Sequence, residues 1–141
     1  MSEISFNSIR DGVSLALHAA FPAPVQIHGG DVRQGLHPGD FNVIMPSAGH
    51  KQEVGRRYKR TPTVDVIYYP RKDSAECCDM ADQLTAVLES ITTPEGDVIH
   101  AKSCTWTVTG GVLHVLLTYD HFVYRPYEGI LMGELKIDQR G

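Results

Sequence analysis

Residues 103–124 read SCTWTVTGGVLHVLLTYDHFVY, and this stretch decides the fold. Cys104, Trp106 and Val108 alternate with Ser103, Thr105, Thr107 and Thr109, the period of two that a pleated strand imposes. Gly110-Gly111 supplies the two residues of a tight hairpin, since glycine enters positive φ without a steric penalty. Val112 to Tyr124 follows as one long predicted strand, rich in the β-branched and aromatic residues that suit a half-buried sheet. Strands joined by so short a link pair antiparallel, because a parallel pair needs a crossover of a dozen residues or more. Trp106 and the Val112–Leu117 segment are expected in the core.

Upstream of this meander, Thr93-Pro94-Glu95-Gly96-Asp97 reads as a turn between short strands. Before it, Cys77, Met80, Ala81, Leu84, Val87 and Leu88 form an apolar stripe at helical spacing, with Asp79, Asp82 and Glu89 facing water. Asp73 and Glu76 have the form of a capping box at the start of that helix, which is predicted to end near Ser90. Pro70 separates it from a strand over Arg57–Tyr69, where Val64, Val66 and Tyr68 alternate with their neighbours. Pro62 predicts an edge or a bulge in that strand, since proline cannot donate to a ladder. Ser47–Gly55 is polar and glycine-containing and is expected to be an exposed loop, with Phe41–Met45 a strand ended by Pro46. Val25–His28 is a short strand candidate closed by Gly29-Gly30-Asp31, and Val32–Leu36 is a possible continuation. Ile4–Phe21 reads as a helix with Ser5 as its N-cap, Ile9, Val13, Ala16, Leu17 and Ala20 on one face, and Pro22 and Pro24 beyond its end. Downstream, Pro126 is expected to end the last strand, and no state is assigned to Ile130–Ile137. The fold class is α+β: a mostly antiparallel sheet with two helices packed on one face.

The 141 residues (15.6 kDa) are expected to form a single domain spanning 1–141. At this length about two-thirds of the unfolded surface can be buried, so neither a disulfide nor a metal is needed to hold the chain together. Hydrophobic residues make up 42% and charged residues 21%, a globular balance rather than a disordered one. The net charge of −4 argues against a dedicated nucleic-acid binder. No apolar run reaches the roughly 18 residues of a membrane span, and Met1-Ser2-Glu3 lacks a signal-peptide layout, so synthesis in the cytoplasm is expected. Cys77, Cys78 and Cys104 read as reduced thiols. Adjacent Cys77 and Cys78 lack the spacing of a zinc half-site.

No catalytic constellation emerges. The seven histidines, His18, His28, His37, His50, His100, His114 and His121, match no metal-ligand spacing. His114 reads as a hydrogen-bonded or solvated structural residue, and Asp120 and His121 as sequence neighbours that point to opposite faces. The glycine pairs precede no helix N-terminus, so they do not form a phosphate cradle. Acids surround Cys77 and Cys78 and oppose thiol activation. Neither an enzyme activity nor a cofactor or metal is expected.

Charge is more informative. Residues 51–72 hold seven of the thirteen Lys and Arg residues: Lys51, Arg56, Arg57, Lys59, Arg60, Arg71 and Lys72. Residues 73–97 hold seven acids and no Lys or Arg. One reading is two solvated faces. The other is a basic edge and an acidic edge suited to a head-to-tail contact between copies, which closes into a ring when the rotation allows.

Taken together, these segments resemble a family of small phage tail terminator proteins from prophages and phage-tail-like particles of Gram-positive bacteria. The resemblance is carried by the helix break at Phe21-Pro22, VQIHGGDVRQGLHPGDFNVIM at 25–45, GRRYKRTPTVDVIYYP at 55–70, Met80-Ala81-Asp82-Gln83-Leu84, and Gly111–Val115 running into Tyr119 and Tyr124. It lies in their order and spacing over most of the chain. Gly129 and Gly133 make the end looser than the family pattern.

The resemblance implies a structural virion protein that forms a hexameric ring on the head-proximal end of the tail tube. Such a ring ends tube polymerisation and presents a surface to head-completion or connector proteins. The implied partners are further copies of the chain, the tail tube protein and, in contractile particles, the sheath protein, with DNA only passing through the lumen. No membrane partner is implied. The residues expected to carry subunit, tube or lumen contacts are Arg56, Arg57, Tyr58, Lys59 and Arg60. The competing reading is a head–tail connector or tail completion protein of similar size.

Overall fold

The computed structural model describes residues 4–22, 25–29 and 37–124. Helix α1 spans Phe6–Ala20 and α2 spans Ser74–Val87. Between them lie β1 (Ile27–Gly29), β2 (Phe41–Gln52) and β3 (Arg57–Tyr68). After α2 come β4 (Ser90–Thr92), β5 (Val98–His100), β6 (Ser103–Thr109), β7 (Val112–Thr118) and β8 (His121–Tyr124). The main sheet runs β1-β2-β3-β7-β6, with β8 paired to β3, while β4 and β5 form a separate two-stranded sheet. Every pair is antiparallel except β1 with β2. This is the expected α+β architecture.

The local reasons are legible in the side chains. The Ser5 hydroxyl accepts from the Ser8 N–H at 3.0 Å, and the Ser8 hydroxyl accepts from the Ser5 N–H at 3.2 Å, a reciprocal cap that satisfies two orphan donors. Ile9, Val13 and Leu17 are fully buried under α1, whereas Ala16 is half-buried and Ala20 exposed. Gly12 lets that helix approach β4 closely: a Cβ there would stand 3.1 Å from the Thr92 carbonyl oxygen. Asp73 caps α2, accepting from the Glu76 N–H. The expected capping box is not completed. The Glu76 carboxylate turns to the N–H groups of Arg71 and Lys72 at 2.8 and 2.7 Å and to the Tyr68 hydroxyl. Burial alone would raise the pKa of Glu76. These donors outweigh it and hold the carboxyl below its ordinary value.

Cys77, Ala81, Leu84 and Leu88 pack from α2 onto Leu113, Val115 and Leu117 of β7 and Val64, Val66 and Tyr68 of β3. Tyr119 is fully buried, and its hydroxyl donates to the Leu88 carbonyl at 2.6 Å, closing the C-terminal end of α2. Asp40 fixes β1 beside β2 by accepting from the N–H groups of Gln26 and His37 and contacting the His28 ring. Burial raises its pKa, but these three contacts prevail and lower it.

Four expectations are corrected. Ser47–Gln52 is strand rather than loop, so β2 runs on past Pro46, which is accommodated in a bulge between Ile44 and Ser47. The segment Val112–Tyr124 is two strands, interrupted at Tyr119 and Asp120, where the chain shifts along β3. Pro62 lies opposite that interruption, and its carbonyl accepts from the Tyr119 N–H at 3.1 Å. A strand residue points its N–H and C=O to the same side, so the donor that proline lacks falls where the ladder is already broken. Trp106 is not core: it is 44% exposed on β6, the strand at the margin of the sheet. The expectations for Pro24, Gly30-Asp31, Val32–Leu36, Pro126 and Ile130–Ile137 lie outside the described residues.

The hairpin at Gly110-Gly111 is as expected, with φ of 60° and 79°. His114 is the anticipated hydrogen-bonded histidine, with its Nδ1 3.1 Å from Asp65 Oδ2 on the neighbouring strand.

Candidate functional site

The predicted basic cluster sits on a two-stranded arm. Beyond the bulge, β2 and β3 continue paired as Ser47↔Thr63 through Gln52↔Tyr58, and the chain turns through Val54 and Gly55. Val54 is 76% exposed and Gly55 has a φ of 60°, so the tip carries little apolar packing. From residue 50 to 60 the arm holds five Lys and Arg residues and one acid, Glu53. Strand β8 flanks the arm, pairing Arg57↔Tyr124, Tyr58↔Val123, Lys59↔Phe122 and Arg60↔His121.

Alternation divides the five predicted residues between two faces. Arg57 and Lys59 share one face with Phe122 and Tyr124, which are 47% and 64% exposed. The Arg57 guanidinium lies 4.5 Å over the Phe122 ring and 3.1 Å from Glu53 Oε1. Lys59 Nζ is 3.5 Å from Asp120 Oδ2, which Lys102 also approaches at 3.4 Å. Lys51 stands directly opposite Lys59, a like-charge cross-strand pair that disfavours the hairpin.

On the other face, Tyr58 stacks on His50 with ring centroids 4.7 Å apart. Arg60 is buried, its Nε donating to His50 Nδ1 at 3.1 Å and its guanidinium 4.4 Å from the centroid of the Phe6 ring. Across from it, His121 is buried. Burial holds its ring neutral and lowers its pKa, with the neighbouring Arg60 adding to the effect. Arg56, at the turn, is exposed.

The structure therefore brings all five residues onto one arm but gives them different work. Arg60 anchors the arm to α1, Arg57 and Lys59 hold it to β8 and its flanking turn, and Arg56 and Lys51 are exposed. Sequence reasoning missed the aromatic partners: Phe6, Phe122 and Tyr124 are far from the cluster in sequence and reach it only through the α1 packing and the β3–β8 register. The alternation in Asp120–Tyr124 was the available signal, since it puts Phe122 and Tyr124 on one face. A shallow groove lined by His37, Pro38, Tyr69, Pro70, Lys72, Gly111 and Val112 lies at the opposite end of β3.

The fold is a mostly antiparallel sheet carrying two helices, with a charged hairpin extending past its core. A family profile described as "Phage tail terminator protein" matches residues 8–129, and the chain belongs to that family. It is thus a phage tail structural protein, of a family that is structural rather than catalytic. No curated protein matches it. Among solved structures, a chain of the "Virion of native gene transfer agent (GTA) particle" is 13% identical with a TM-score of 0.51, covering 88% of this chain and 100% of that one. A second structure, of no stated function, is 14% identical with a TM-score of 0.49, covering 89% of this chain and 99% of that one. The gene transfer agent chain shares the fold.

Proposed function

We propose that the whole chain acts as one tail-terminator domain that assembles as a ring, hexameric by family resemblance, on the head-proximal end of the tail tube. There it ends polymerisation and offers its outer face to the head-completion or connector protein, and to the last sheath ring where the particle is contractile. DNA passes through the lumen and is not otherwise bound. The observation that carries this reading is the arm. Between residues 50 and 60 it gathers five Lys and Arg residues against one acid and sets Lys51 directly opposite Lys59; an exposed cationic surface of this kind fits an acidic surface on a partner. Termination follows if one face of the ring matches the last tube ring and the other fails to match the next.

Deleting the gene and measuring tail length by negative-stain electron microscopy tests the reading. Overlong or ragged tails without heads support it. Tails of normal length with unjoined heads assign the chain to head–tail connection or tail completion instead. At residue level, Arg56→Glu with Arg57→Glu is expected to weaken ring or tube association at least ten-fold. Because Arg57 has internal partners, the pair also costs about 1–2 kcal/mol of stability. Unchanged pull-down of tube protein and unchanged oligomerisation by the double variant would remove the arm from the interface.

A further inference from the structure

Strand β8 departs from the pattern of a strand with one buried face. Alternation there normally sets apolar residues inward and polar residues outward. His121 and Val123 point inward and are buried, yet both outward residues are aromatic and exposed, Phe122 and Tyr124. Two residues apart on one strand, they share a face and stand roughly 7 Å from each other along the chain. That face is opposite to the one on which Arg60 meets α1.

Cations surround the two rings. Arg57 stands across from Tyr124, Lys59 across from Phe122, and Lys51 across from Lys59. Lys102 reaches the same place through Asp120, 3.4 Å away. Two carboxylates pair with three of these four cations: Glu53 with Arg57 at 3.1 Å, and Asp120 with both Lys59 and Lys102. Four cations against those two carboxylates leave the patch positive. Exposed Phe, Tyr and Arg gathered in one place have the composition of an interface hot spot, in which the rings supply contact area and the flanking charges fix orientation.

We infer that Phe122 and Tyr124, with Arg57 beside them, are the anchor by which the arm docks on a different protein, one that presents carboxylates around an apolar recess. The recess accepts the rings, and its carboxylates meet the surplus of positive charge. A nucleic acid fits this face less well, because Glu53 and Asp120 stand among the cations and repel phosphates. A second copy also fits less well. The groove at the other end of β3 is lined by Lys72 and His37 and by no carboxylate, so that recess has the wrong charge to receive the patch. This docking presupposes that the arm is a contact surface, as proposed above, but not that the ring lies at the head-proximal end of the tail.

A photoreactive benzoylphenylalanine at position 124, irradiated in assembled particles, is expected to join the chain to a different protein, at a peptide of that protein containing Asp or Glu. An adduct with a second copy, with DNA or with residues 125–141 of the same chain overturns the inference, and so does the absence of any adduct. Affinity gives the second readout, with purified chain titrated onto particles assembled without it. Tyr124→Ala is expected to bind at least about ten-fold more weakly, with an unchanged urea midpoint. Val98→Ala, which trims an exposed apolar side chain on β5, is expected to bind as the wild type does. Equal binding by wild type and Tyr124→Ala, or equal weakening by Tyr124→Ala and Val98→Ala, overturns the inference. If Tyr124→Ala binds normally while Arg56→Glu with Arg57→Glu binds weakly, the arm is a contact surface by charge alone and the reading above stands. If neither variant weakens binding, both fail.

Discussion

Arg60 is the residue on which the structural and assembly roles of the basic arm separate. Replacing it with alanine removes, among its contacts, a cation–π contact and a hydrogen bond. The guanidinium 4.4 Å from the centroid of the Phe6 ring sits in a largely desolvated position, where a cation–π contact is worth about 1–2 kcal/mol. The hydrogen bond to His50 adds roughly 0.5–1 kcal/mol, at the low end because His50 is exposed and water can replace the lost donor. The expected loss is therefore about 1.5–3 kcal/mol, or a fall in Tm of roughly 5–12 °C for a chain of this length. Arg56→Ala at the exposed turn is expected to stay within about 0.5 kcal/mol. Urea titration followed by far-UV circular dichroism measures both, with midpoint and slope read separately so that a denatured-state effect is not mistaken for a folded-state one. A double-mutant cycle with Phe6→Leu should return a coupling of about 0.5–1.5 kcal/mol. Arg60→Lys should recover little, because an ammonium lacks the flat guanidinium that lies against the ring. If Arg60→Ala is no more destabilising than Arg56→Ala, or if the coupling to Phe6 is under about 0.3 kcal/mol, the anchoring argument is wrong and Arg60 belongs with the exposed cations.

Tyr119→Phe leaves the Leu88 carbonyl without its donor at a fully buried position and is expected to cost about 1–3 kcal/mol, while Tyr124→Phe, at an exposed site, should cost under about 0.5; equal urea midpoints for the two variants would refute this. Stability should decline in two stages on acidification. His121 has a folded pKa below its ordinary 6.5, so the unfolded chain binds the proton more readily and stability falls once pH drops under that value. Asp40 and Glu76 are held below their ordinary 3.8 and 4.5, so their contribution is complete above those values and is lost as pH falls through the lower folded ones. A urea midpoint that stays flat from about pH 7 to 5 would sink the first stage, and His121→Gln should abolish it selectively. Asp40→Asn weakens its interactions with the Gln26 and His37 N–H groups and the His28 ring, and should raise amide exchange at Ile27–Gly29 ahead of β7; uniform protection in both strands would show that Asp40 does not hold β1.

What the sequence revealed and what it hid follow from how far each signal reaches along the chain. The helices were legible because cap, stripe and breaker are local: Ser5 and Asp73 stand at the predicted ends, and Ile9, Val13 and Leu17 or Cys77, Ala81 and Leu84 face the core as their spacing demands. The Gly110-Gly111 hairpin was legible for the same reason. Apart from the capping box at Asp73, which Glu76 leaves for Arg71, Lys72 and Tyr68, the errors concern who pairs with whom. Pro46 ends a strand by the local rule, yet a bulge carries β2 past it, and the residues taken for a loop become half of the arm. Val112–Tyr124 has continuous strand chemistry, and only the buried Tyr119, reaching Leu88 and Pro62, shows why it breaks. Trp106 has core chemistry but lies on the last strand of the sheet, where nothing local marks an edge. The basic cluster was visible as composition, but its division into an anchor, two braced cations and an exposed tip depends on the register of β3 with β8 and on Phe6, more than fifty residues from Arg60. The same tertiary placement sets β6, uncharged and regular, at the margin of the sheet beside α2, while the cations lie on the arm of β2 and β3.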